Sequence, residues 1–206
     1  NEADDVFVYD RVALTTARVS VSSKGTQGNG ASSAPSITSD GRYVAFQSAA
    51  NNLTPEGVTG VFLHDRSTAQ TTLIAASARS PFIAGDGRYV ASIATPSQKV
   101  YLYDRETAQT ELVSVNDSGV IADKSCDAVS VSSDGRFVAF QSVASNLRPN
   151  DPGDSTYNAD IFVRDRNLGK TLYASADKDG KQANSWSHAP MISADGRWIA
   201  FSSYSS

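Results

Sequence analysis

Apolar and polar residues alternate in short runs along this chain, and the runs recur in a fixed order. The stretch Asp5-Val6-Phe7-Val8-Tyr9-Asp10-Arg11 has the period-two pattern of a half-buried strand, and it returns at residues 61–66, 100–105 and 161–166, each time ending Asp-Arg. A short polar turn follows, as in Glu106-Thr107-Ala108-Gln109-Thr110, then a second strand at residues 17–21, 72–75, 111–115 and 172–175. A polar loop next leads to a third kind of strand: Pro35-Ser36-Ile37, Pro81-Phe82-Ile83, Val129-Ser130-Val131 and Pro190-Met191-Ile192. Each of these runs into one phrase: Ser39-Asp40-Gly41-Arg42, Gly85-Asp86-Gly87-Arg88, Ser133-Asp134-Gly135-Arg136 and Ala194-Asp195-Gly196-Arg197. An aromatic, a β-branched residue and Ala come after every copy, as in Tyr43-Val44-Ala45 and Trp198-Ile199-Ala200. Asp-Gly between two apolar runs predicts a tight hairpin with both turn residues at positive φ. No 3.6-residue period is present, so almost no helix is expected.

Repeats of roughly 40–50 residues made only of strands indicate propeller blades. The strand before Asp-Gly is strand A, which lines the channel; strand B follows the turn; the Asp-Arg strand is C; and the outer one is D. The sequence therefore predicts an all-β, four-bladed β-propeller, each blade a four-stranded antiparallel meander, in one domain over residues 1–206. Blades are expected at about residues 31–78, 79–118 and 125–177, with a composite blade from residues 186–206 and 1–22. The chain begins with strands C and D and ends with A and B. Pairing of the C-terminal A/B strands with the N-terminal C/D strands would close the ring and remove exposed edges. A monomer is expected on that basis, the rivals being a fragment of a longer ring and a dimer sharing one larger ring.

Composition narrows the functional classes. Eighteen Lys and Arg against 22 Asp and Glu leave a net charge of −4, which gives no basic footprint for nucleic acid. No apolar run reaches the ~18 residues of a membrane span. The start, Asn1 to Asp5, lacks the basic and apolar regions of a signal peptide, so export would require that segment to be already missing. The lone Cys126 allows no disulfide within the chain and reads as a small buried side chain.

The pattern Ser-x-Asp-Gly-Arg-aromatic-Val-Ala-Phe-x-Ser, then Asn-Leu-x-Pro, then Asp-Val/Ile-Phe-Val-x-Asp-Arg, resembles the TolB-like (WD-type) β-propeller repeat. The match is fullest through residues 133–142, Asn146, Leu147, Pro149 and residues 160–166; it is weakest in the second copy, where Ser92-Ile93 replaces Phe-Gln. The resemblance implies a propeller of a kind that serves as periplasmic protein-docking modules, as gating domains of peptidases and in some cases as lyases. It also implies rings of six or seven blades, and a periplasmic or secreted setting.

Asp-Gly-Arg and Asp-Arg recur in every blade, which argues for an architectural role, since one active site would need one copy. Positions that are equivalent but differ in chemistry are the better site candidates. Aligning the A strands places Ser33, Arg79, Asp127 and His188 in one ring at the channel mouth, with Trp186 nearby in the preceding loop. Asp127, His188 and Ser33 invite comparison with a catalytic triad, but nothing in the spacing brings them within hydrogen-bond reach and no nucleophile elbow is present. His64, on a C strand, reads as a surface residue. Hard oxygen donors at Asp151, Asp154, Asn158 and Asp160 form a candidate calcium loop, without the order of an EF-hand. The expected function is a non-enzymatic scaffold or binding module for a protein or carbohydrate, held on the loops before strand A. The alternatives are a polysaccharide lyase or hydrolase using His188 and Asp127, and a piece of a repeat array with no independent function.

Overall fold

The computed structural model describes residues 1–148, 158–176 and 185–204, and among them every regular element is a strand. The chain opens with the hairpin β1 (Phe7–Asp10) and β2 (Thr15–Arg18). A four-stranded meander follows: β3 (Ser32–Ile37), β4 (Tyr43–Ser48), β5 (Gly60–Asp65) and β6 (Gln70–Ala76). The next comprises β7 (Ala78–Ile83), β8 (Tyr89–Ala94), β9 (Lys99–Asp104) and β10 (Gln109–Leu112). The third comprises β11 (Cys126–Val131), β12 (Phe137–Ser142), β13 (Asp160–Asp165) and β14 (Lys170–Tyr173), and the hairpin β15 (Ser187–Ile192) and β16 (Ile199–Ser203) ends the series. All pairings between neighbours are antiparallel. The architecture is that of consecutive propeller blades, three of them complete.

The composite blade expected from the two chain ends is not formed. β1–β2 and β15–β16 are separate two-stranded sheets, and no ladder joins β16 to β1. Each hairpin instead packs on the blade next to it in sequence. Val6 and Val19 join Val44, Phe46 and Phe62, while Ile192 and Ile199 join Ala139 and Val163. The cores are therefore interfaces between successive blades.

One frame repeats in each complete blade. Arg42 forms a two-point ion pair with Asp65 (Nε to Oδ1 3.0 Å, Nη2 to Oδ2 2.8 Å), and Arg88–Asp104 and Arg136–Asp165 repeat it. The following Arg, in Asp-Arg, donates to the carbonyl of the turn glycine: Arg66 to Gly41 at 2.6 Å and Arg166 to Gly135 at 2.8 Å. Between blades, the aromatic at the start of strand B lies over the next blade's turn glycine. Tyr43 covers Gly87, Tyr89 covers Gly135 and Phe137 covers Gly196, too closely for any side chain there.

The Asp-Gly turn differs from its expected form. Only the glycine takes positive φ (+71° at Gly41), because Asp40 Oδ1 accepts the Arg42 N–H at 2.9 Å and the Thr38 hydroxyl at 2.6 Å. That Asx-type bonding holds Asp in a right-handed conformation and lengthens the loop.

Candidate functional site

Strand A of every unit carries a bulge that its sequence does not announce. The register shifts after Ser33, Arg79, Asp127 and His188, and the following residue adopts a left-handed backbone: Ala34 (φ 50°), Ser80 (51°), Ala128 (38°) and Ala189 (54°). Non-glycine residues there are strained, so four repeats of the feature mark a built element. The freed amides are met from the preceding blade: Gln47 Oε1 accepts the Ser80 N–H at 3.0 Å, and Gln141 Oε1 accepts that of Ala189 at 3.4 Å. The second complete blade has Ile93 at that position, where the sequence had lost its Gln.

The four ring candidates stand at equivalent positions, one residue before each bulge, but they do not converge as a set. Arg79 donates to Asp127 across neighbouring blades in a close ion pair. His188 stacks against Tyr204, ring centroids 5.5 Å apart, and Ser33 is exposed. The Asp127 carboxylate is thus engaged by a guanidinium rather than by His188, and no relay from Asp127 through His188 to Ser33 is assembled. Trp186 is half exposed, and its carbonyl accepts the Tyr204 N–H at 2.9 Å, extending the β15–β16 ladder by one step.

Two concavities lie along this rim. A cleft of about 300 Å³ between the first two complete blades is lined by Ser33, Gln47, Thr59, Ser77, Arg79 and Thr95, so it offers hydroxyls, an amide and one guanidinium. A second depression of about 470 Å³ is lined by the bulges of all four A strands, with Pro35, Pro81, Val129 and Pro190 beside them. Gln47 and Thr95 were not singled out in the sequence; the alignment of strand A with its B-strand neighbour would have pointed to Gln47.

Two loops expected to form a recognition face are committed to the frame. Ser23 Oγ accepts the Thr71 N–H at 2.9 Å and the Thr71 hydroxyl donates to Val21 O at 2.5 Å, so residues 21–23 clasp the outer strand of the next blade. Asp117 and Val115 clasp Thr171 in the same way, at 2.8 and 2.5 Å. The third expected loop lies mostly outside the described residues. This clasp also corrects the surface reading of His64, which is 5% exposed. Its Nδ1 lies 2.9 Å from Thr71 Oγ1, whose own proton goes to Val21 O, so Nδ1 carries the hydrogen. Burial holds the His64 pKa below its usual value. Arg164 takes the same place in the third complete blade, donating to Thr171 Oγ1 at 3.1 Å.

Of the candidate calcium ligands, Asp151 and Asp154 lie outside the described residues. Asn158 is half-buried beside the start of β13. Asp160 is buried, and its Oδ1 accepts from the Tyr173 hydroxyl at 2.9 Å and the Ser175 hydroxyl at 3.0 Å, with Arg148 3.8 Å from Oδ2. Asp5 repeats that arrangement through Ser20 at 2.6 Å. Among the described residues no three His, Cys, Asp or Glu side chains are grouped to hold a metal ion. Cys126 is fully buried, with its Sγ 3.5 Å from Ser142 Oγ, and burial raises its pKa. It occupies the position of Ser32 and Ser187, each of which faces a serine of its B strand, so its role is structural.

No family model and no curated protein sequence matches the chain. Solved structures do. TolB from Acinetobacter baumannii aligns with 95% of this chain and 42% of its own, at TM-score 0.55 and 19% identity. An oligogalacturonate lyase from Vibrio parahaemolyticus aligns with 98% of this chain and 53% of its own, at TM-score 0.60 and 13% identity. The β-propeller domain of the Trilobed protease from Pyrococcus furiosus aligns over 71% and 43%, at TM-score 0.50 and 15% identity. These likenesses show the β-propeller fold, and the chain spans about half the length of the structures it matches or less.

Proposed function

We propose that the chain is a non-catalytic binding module that holds a protein segment or a carbohydrate along the A-strand rim. The observation that carries this reading is that one position of a repeated frame holds four unlike polar residues, Ser33, Arg79, Asp127 and His188. A frame needs identity at equivalent sites, as its Arg–Asp pairs illustrate. Divergence at a single ring of positions suits selection for a ligand. The 300 Å³ cleft between blades adds the chemistry: hydroxyls, the Gln47 amide and the Arg79 guanidinium are donors and acceptors suited to sugar hydroxyls or a peptide backbone. The half-exposed Trp186 would supply a stacking face just before β15. The resemblance to TolB-like repeats favours a periplasmic or secreted setting.

Glycan and peptide arrays probed with the purified chain test the proposal. Arg79→Ala is expected to weaken captured ligands by about tenfold or more while leaving the fold intact. Retention of full binding by Arg79→Ala and by Trp186→Ala would overturn the assignment of this rim.

A further inference from the structure

In two of the three complete blades a pair of rings belongs to the frame. Phe46 stands opposite Phe62 and Phe140 opposite Phe162, their centroids 6.0 and 5.9 Å apart, and all four rings are fully buried. Each B-strand ring fills space against the preceding unit: Phe46 joins Val6 and Val19, and Phe140 joins Ile93 and Val113. A leucine of the B–C connection, Leu53 or Leu147, is buried in the same cluster. The segment before strand A then clasps the outer strand, at Thr71 through residues 21–23 and at Thr171 through Val115 and Asp117.

The second complete blade lacks all three fillings. Ser92 stands in the phenylalanine position, opposite Tyr101. The B–C connection shrinks to residues 95–98 and brings no leucine. Ser77 alone joins β6 to β7, so the segment that clasps Thr71 and Thr171 has no counterpart for Thr110. A cavity of about 260 Å³ lies there, between the first two complete blades. Ile74 and Ala75 of β6 line one side, and Ser92, Tyr101, Tyr103 and Thr110 the other. Ser92 is 3% exposed, and among the described residues its hydroxyl has no hydrogen-bond partner; nor do the hydroxyls of Tyr101 and Tyr103. A buried hydroxyl left unpaired is costly. Water would satisfy the hydroxyl but gains nothing from the tyrosine ring or from Ile74 and Ala75.

We propose that this cavity is a binding site for a small, neutral, one-ring aromatic molecule bearing a hydroxyl or similar polar substituent. Its ring takes the place that Phe46 and Phe140 hold in their blades, against Tyr101, and its substituent meets Ser92. A cavity of roughly 150 Å³ accepts benzene, so this larger one holds a ring with its substituents. No lining residue is charged at neutral pH, which favours an uncharged ligand. Ala78 borders both this cavity and the rim cleft, yet the polar groups of the two are different, so either site stands without the other.

Titration of the 206-residue chain with p-cresol, followed by amide chemical shifts, tests the site. Saturable changes centred on residues 74–78, 92–94 and 101–103 are expected. Toluene, which lacks the hydroxyl, should bind at least about threefold more weakly. Ser92→Phe restores the residue of the other two complete blades, fills the cavity, and should weaken p-cresol binding by at least about tenfold. Circular dichroism checks that this variant folds, and the wild-type shift map decides the case if it does not. No saturable binding, shifts centred elsewhere, equal affinity for toluene, or undiminished binding to folded Ser92→Phe would overturn the proposal. A capped Gly-Tyr-Gly tripeptide that binds about tenfold more tightly than p-cresol would also overturn it, in favour of a side chain from a protein partner.

Discussion

At the scale of single residues, the same side chain is either architecture or chemistry according to whether the frame repeats it. The carboxylates of Asp65, Asp104 and Asp165 are held below the usual range, first by the hydrogen bonds from Arg42, Arg88 and Arg136. A depressed carboxylate contributes stability that is complete above its unfolded pKa of about 3.9 and is lost as pH falls toward its folded value. His64 acts in a higher window. Its folded pKa is lowered by burial, so the unfolded chain takes up the proton more readily and stability falls as pH drops below about 6.5. Thermal melts should therefore decline between pH 7 and 5, then steeply below about pH 4. His64→Gln should flatten the upper window and leave the lower one. An unchanged upper window in that variant would remove His64 as its cause. The architectural role of Asp-Gly-Arg was legible from its recurrence, but the burial of His64 was not, because the covering residues 21–23 come from the preceding unit.

Among the elements, the strands were readable from their alternation, and their irregularities were not. The bulge in each strand A rests on Ala or Ser in left-handed backbone, residues with no sequence signature for that conformation. The C–D hairpins show the same substitution of strain for glycine: Gly169 has φ 64°, and its equivalents Leu14, Ala69 and Ala108 have 55–56°. Ala108→Gly should therefore be neutral or stabilising by up to about 1 kcal/mol, as relief of strain outweighs the added unfolded-state entropy. Chemical denaturation measures this directly, and a clear loss of stability would contradict it. Gly135→Ala should do the reverse. Its new methyl would meet both the left-handed backbone and the Tyr89 ring, whereas Gly41→Ala meets the left-handed backbone but no ring. The expected order of stability is wild type, then Gly41→Ala, then Gly135→Ala, and equal losses would show that the ring does not cover the glycine.

The whole molecule is held by interfaces between successive blades. Phe140 and Phe162 are fully buried in the cluster that joins the second and third complete blades, so Phe140→Ala should cost about 3–5 kcal/mol in equilibrium unfolding. The blade count and order followed from the repeats, whereas closure did not. The repeats state which strands can pair, but whether β16 pairs with β1 depends on how whole blades stack, as Tyr43 does on Gly87, which has no local signal in the sequence. The packing of each blade on the next is the central feature of this molecule, and chemical denaturation of Tyr89→Ala tests it most directly, because that ring covers Gly135 of the following blade and receives Arg166. A loss on the order of 3 kcal/mol is the result this account predicts, and stability equal to wild type would contradict it.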